Sequence, residues 1–152
     1  NVERHYRDAR ITNIYEGTTQ LQVVAAIGAV MSGTATAAMD EYAGEDWSSM
    51  PAALLKGIER TRMLMEKAIL HVKEQASDEV TGFHARRLVE MATDIIIAWL
   101  LLRDARHAQR KLLVAEAFVE KMQAKAEAST NFIMSENSAF MKNCKQVIGL
   151  AE

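Results

Sequence analysis

Apolar residues recur along most of this chain at intervals of three and four, the spacing that lays one side of an α-helix against a core. Between Thr18 and Tyr42 the repeat runs through Leu21, Val24, Ala25, Gly28 and Met31 and on to Ala35 and Met39. It predicts one helix, roughly 30–35 Å long at 1.5 Å per residue. From Ala52 to Ala76, Leu54, Ile58, Thr61, Met65, Ile69 and Val72 share a face, opposite Lys56, Glu59, Glu66, Lys67 and Lys73. From Phe83 to about Gln109, Leu88, Met91, Ile95, Trp99 and Leu102 form a stripe, and Ile96, Ile97, Leu100 and Leu101 fill most of the remaining surface. A helix apolar nearly all round is central or lies at an interface, so a subunit or domain contact is expected to cover part of this one. Lys111 to about Thr130 repeats the pattern with Leu112, Ala115, Val119, Met122 and Ala126. Ala139 to Ile148 is expected to close the chain, with Phe140, Cys144, Val147 and Ile148 inward.

The breaks between these periodic stretches hold turn and cap formers. Asp40 to Pro51 contains Gly44, Glu45, Asp46, Ser48, Ser49 and Pro51 and reads as a linker, with Trp47 expected to pack on the bundle. Ser77 to Gly82 and Ser135 to Ser138 are the other breaks, and Ser138 is a candidate cap. The expected fold is all-α: an up-and-down helical bundle of about four to five helices, divided into residues 1–42 and residues 43–152.

Composition agrees and narrows the function classes. One proline and seven glycines among 152 residues rich in helix formers favour helix throughout. Eighteen Lys and Arg against twenty Asp and Glu give a formal charge of −2, which offers nothing to a nucleic acid. The single cysteine, Cys144, permits no internal disulfide and reads as a small buried hydrophobe in a reducing, cytoplasmic setting. No zinc-type Cys/His spacing, Gly-rich phosphate loop or signal peptide occurs. The apolar run from Ile95 to Leu102 is far too short to span a bilayer, though it could touch a membrane surface. His84 and His107 lack the spacing of metal ligands, and nine methionines suit adaptable helix–helix packing.

The chemistry-bearing stretch is Ile14-Tyr15-Glu16-Gly17-Thr18-Thr19-Gln20-Leu21-Gln22. Thr18 and Thr19 can cap the helix that follows, because their hydroxyl oxygens can accept from its free N–H groups. Gly17 permits a close backbone approach. Glu16 stands just outside the helix start. There the dipole alone favours an acid, so its plain reading is electrostatic.

The neighbourhood of Glu16 shifts that reading. Tyr6-Arg7-Asp8-Ala9-Arg10-Ile11, followed by Ile14-Tyr15-Glu16-Gly17-Thr18 and Gln20, resembles the signature near the C-terminal end of acyl-CoA dehydrogenases. The resemblance implies that Glu16 is the base that removes the α-proton of an acyl-CoA thioester. The β-hydrogen then leaves as hydride to FAD, and the trans-2-enoyl-CoA forms. It further implies that Tyr15 lines the acyl pocket, that Gly17 lies against the substrate, and that Thr18, Thr19 and Gln20 contact the ADP part of FAD. Residues 1–42 would then be the end of the catalytic helical domain, and residues 43–152 a helical extension. Trp99-Leu100-Leu101-Leu102-Arg103 and the Ala-rich helix beyond are similar, more loosely, to the tail of the larger bacterial members.

The family's flavin and CoA sites are built mostly by an N-terminal helical domain and a middle β-barrel. A chain opening at Asn1, inside the signature, is therefore expected to be a C-terminal piece that holds no FAD and catalyses nothing alone. Electron-transferring flavoprotein is the implied acceptor and partner, and a homo-oligomer is expected. Two alternatives stay open: an all-α oligomerisation or interaction module with an unused signature, and an acyl-CoA oxidase. DNA-repair-associated relatives of the fold also stay open.

Overall fold

The computed structural model describes residues 2–11, 19–135 and 143–149. Seven helices occur among them: α1 (Val2–Arg10), α2 (Thr19–Ser32), α3 (Thr34–Ala43), α4 (Ala52–Glu74), α5 (Asp78–Ala105), α6 (Arg110–Met134) and the short α7 (Cys144–Val147). No strand occurs among the described residues. The all-α bundle expected from the pattern is therefore the fold.

The body is α4, α5 and α6, each packed on the other two, with α2 and α3 laid against α5. The predicted stripes form its core. Ile58, Met65, Leu88, Ile95, Leu102 and Ala115 are fully buried, with Val119, Met122 and Ala126 nearly so. Thr61 is also fully buried, because its hydroxyl donates to the Gly57 carbonyl one turn back at 3.0 Å. At Gly57 the α4 and α6 backbones come close: a Cβ there would stand 2.8 Å from Val119 Cγ1 and 2.9 Å from Gln123 Nε2. α5 is central, and Ile96, Ile97, Leu100 and Leu101 are half-buried by the chain's own helices.

The structure departs from the pattern in four places. The stretch from Thr18 to Tyr42 is two helices, not one. Gly33 adopts φ +89°, a left-handed conformation open to glycine, and α2 and α3 meet at a 71° bend. The predicted stripe on α2 is also out of register. Leu21 and Val24 are exposed, whereas Val23 and Val30 are buried. Next, α5 begins at Asp78, not Phe83, and runs through Gly82. Ser77 caps it by accepting from the Val80 N–H at 3.3 Å, with Asp78 and Glu79 in the first turn, where the dipole favours acids. Lastly, Val147 and Ile148 are exposed, not inward. The assignments of Ser138, Phe140 and the Cys144 side chain lie outside what is described.

No single helix among the described residues is long and apolar enough to cross a membrane. α2 and α3 together meet the length and composition only across their bend. α1 has no buried residue and carries an exposed Glu3–Arg7 pair at 3.0 Å.

Candidate functional site

Of the six residues singled out, the structure describes two. Tyr15, Glu16, Gly17 and Thr18 lie outside the described residues. Thr19 and Gln20 are the first two residues of α2, both exposed, with no acidic residue in that first turn. A hydroxyl and an amide thus stand at a helix start, an arrangement that suits phosphate oxygens. Val23, one turn on, is buried and anchors this end of α2 to the bundle.

Elsewhere the polar groups are engaged in holding the fold. Trp47 is buried as expected, its ring centroid 5.1 Å from that of Trp99, and its indole N–H donates to the Tyr42 carbonyl at 2.8 Å. Arg106 closes over it. The guanidinium sits 3.8 Å above the Trp47 ring and donates to Glu45 Oε2 at 2.8 Å and to the Asp46 carbonyl at 2.7 Å. The linker of residues 44–51 is thereby tied to the end of α5. No local pattern in the sequence around Arg106 marks a partner 61 positions away.

A second cluster joins α3 to α4. Arg62 donates to Asp40 at 2.7 Å and to Glu66 at 2.9 Å. The hydrogen bond to Glu66, aided by that to Asp40, holds the guanidinium pKa above its ordinary value. Asp40 and Glu66 also edge a shallow groove in the α2–α3 elbow, floored by Val30, Met31, Ala37 and Ile69, with Lys73 at its rim. On the far side of the bundle, Lys125 of α6 meets Asp94 at 2.9 Å and Glu90 at 3.2 Å, both on α5.

The third cluster contains His84, which is nine-tenths buried against Phe83 and Phe132, with Arg87 lying 3.9 Å over the Phe132 ring. Its Nδ1 has no hydrogen-bond partner among the described residues. Burial, then the nearby charges of Arg87 and His71, pushes its pKa below the usual histidine value. None of these clusters pairs a base with a nucleophile, and no group of metal-ligating residues occurs among the described residues.

The family described as acyl-CoA dehydrogenase C-terminal matches residues 31–139. The chain belongs to this family. A solved acyl-CoA dehydrogenase family protein from Porphyromonas gingivalis has the same fold, with a TM-score of 0.68 and 28% identity. The similarity covers 73% of this chain and 97% of that one. No curated protein matches. The family match lies over the helical bundle and starts beyond Gln20, so it is carried by the part whose resemblance was the looser one.

Proposed function

We propose that this chain is the C-terminal portion of a flavin-dependent acyl-CoA dehydrogenase in which Glu16 is the catalytic base. The observation that carries the reading is the family match over residues 31–139, with the Glu16 signature a short distance ahead of it. FAD, when bound, accepts the substrate's β-hydrogen as hydride. Thr19 and Gln20, with Thr18, would meet its ADP part, which fits the exposure of Thr19 and Gln20 at the start of α2.

The remaining chemistry falls to Glu16 and its neighbours. An α-proton of a thioester is weakly acidic, so a base is useful only if the developing enolate oxygen is stabilised at the same time. The backbone N–H of Glu16 would donate to that oxygen. Gly17 would let the thioester lie close to the backbone, and Tyr15 would line the acyl pocket. Exclusion of water by the acyl chain would raise the carboxyl pKa toward neutrality, opposing the helix dipole, which lowers it. Proton abstraction with hydride loss leaves the trans-2-enoyl-CoA, and electrons pass on to an electron-transferring flavoprotein. Residues 43–152 would serve the enzyme as a structural extension, and this chain alone would be inactive.

The test uses the complete parent enzyme carrying Glu16→Gln. Flavin absorbance should persist, while reduction of the flavin by acyl-CoA under anaerobic conditions slows by at least about 100-fold, the usual minimum for loss of a general base. An unchanged reduction rate would remove Glu16 from this role. The absence of a flavin-binding body upstream in the parent would instead favour an interaction module.

A further inference from the structure

α2 has two apolar faces to choose from. Val23 and Val30 are buried on the side that packs on α5, while Leu21 and Val24 are exposed. No Asp, Glu, Lys or Arg occurs from Thr19 to Met39. Apolar burial is non-directional, so it does not by itself decide which face turns inward. A directional contact is needed to hold α2 in the phase observed.

The first charged residue after the start of α2 is Asp40, near the end of α3, and Arg62 of α4 meets it at 2.7 Å. The Arg62 side chain is only 17% exposed, and Glu66, one turn along α4, meets it at 2.9 Å and helps to aim it. Met39, beside Asp40, is fully buried. The elbow between α2 and α3 has hydrogen bonds of its own that stiffen it. The Ala37 N–H donates to the Gly33 carbonyl at 2.9 Å, and the Gly33 N–H donates to the Val30 carbonyl at 3.4 Å. The hydroxyls of Ser32 and Thr34, on either side of Gly33, meet at 3.0 Å. Turning α2 to bury Leu21 and Val24 would therefore swing α3 and draw Asp40 away from Arg62. Loss of a carboxylate partner from a mostly buried guanidinium is unfavourable, so the ion pair opposes that turn.

We infer that Arg62 is a positioning residue: by holding Asp40 it selects the phase in which the α2–α3 arm packs. A single polar contact among apolar ones can specify register in this way. The same contact then fixes where Thr19 and Gln20 stand at the start of α2. Its consequence for catalysis rests on the function proposed above. There, an arm out of phase would carry Thr19, Gln20 and the segment of Glu16 away from flavin and substrate.

The phase can be read on this chain without any reaction. In a Cys144→Ser background, Gln20→Cys on α2 and Glu120→Cys on α6 carry nitroxide labels. Double electron–electron resonance should give one narrow distance between them. Asp40→Asn or Arg62→Met should broaden it or add a second distance, with circular dichroism unchanged. Asp40→Glu keeps the charge, and Glu66→Gln keeps the Arg62–Asp40 pair, so both should stay narrow. In the complete parent enzyme, Asp40→Asn and Arg62→Met should each slow anaerobic flavin reduction by about 100-fold, the cost of misplacing a group by roughly 1 Å. The two together should slow it no further, because they break one contact. A broad distance in the unaltered chain, or an unchanged distance in Asp40→Asn and Arg62→Met, would overturn the role of Arg62. Normal flavin reduction in those two variants, with Glu16→Gln inactive, would overturn it as well. Normal reduction in Glu16→Gln would instead overturn the reaction assigned to Glu16, and the label distances alone would then decide the role of Arg62.

Discussion

The α4–α5–α6 body and the α2–α3 arm are both helical, both apolar in part and both in contact with α5, yet they are specified in different ways. On α4 and α6 of the body the outward face carries charge, so the inward face has one possible phase. Lys56, Glu59 and Lys67 are exposed on α4 while Ile58, Met65 and Ala68 are fully buried. In the arm no charge occurs before Asp40, and either face of α2 could serve as the buried one. The body therefore fixes its own register. The arm's register is set by what it packs on.

The largest effects should fall on the body. Leu102→Ala or Ile58→Ala removes a fully buried side chain where three helices meet, and should cost about 2–5 kcal/mol in a denaturant titration. Leu21→Ala deletes the same atoms as Leu102→Ala but from an exposed site, and should change the stability of the single chain by less than about 0.5 kcal/mol. Equal costs at Leu21 and Leu102 would mean that the arm is as firmly set as the body.

This contrast also decides what the sequence reveals. The stripes on α4 and α6 were legible because charged residues exclude the other phases. The α2 stripe was misplaced because Leu21, Val24, Ala25 and Gly28 satisfy helical periodicity as well as Val23, Ile27 and Val30 do. The bend was hidden because a lone glycine within an apolar run is tolerated in a helix, and Gly33 shows itself only through its φ. Ser77-Asp78-Glu79 was taken for a break, since the residues that end one helix are also those that cap the next. The latch of Arg106 on Glu45 and Trp47 has no local signature at all. Glu16 has only a weak one, an acid beside a glycine at a helix start, and its assignment to chemistry rests on resemblance to a family.

A pair of glycines sharpens the comparison at intermediate size. Gly57→Ala drives a methyl to within 3 Å of Val119 and Gln123. Gln123 can swing its amide aside, but Val119 is stiff and fully packed, so the substitution should cost about 1–3 kcal/mol. Gly28→Ala meets nothing and gains helix propensity, so the single chain should become more stable by up to about 1 kcal/mol. Melting curves of the two variants should move in opposite directions. Shifts of the same sign would show that the two helices are packed alike.

The smallest effect is that of mild acid, and it should separate the regions by charge. The arm has no titratable group from Thr19 to Met39, whereas the body encloses His84 between Phe83 and Phe132, with Arg87 beside it and His71 facing it from α4. The folded-state pKa of His84 lies below 6.5, chiefly because burial disfavours the imidazolium, and Nδ1 has no acceptor to offset that cost. The unfolded chain thus binds this proton more tightly than the folded one. Stability is fully present above the unfolded pKa near 6.5 and is lost as the pH falls below it through the folded value. His84→Phe removes the titrating group while keeping a ring among the rings. Between pH 7.5 and 5.5, about one unit either side of that ordinary value, unfolding followed by tryptophan fluorescence should weaken in the unaltered protein and weaken less in His84→Phe. Equal weakening in both would remove His84 as the source of the acid sensitivity.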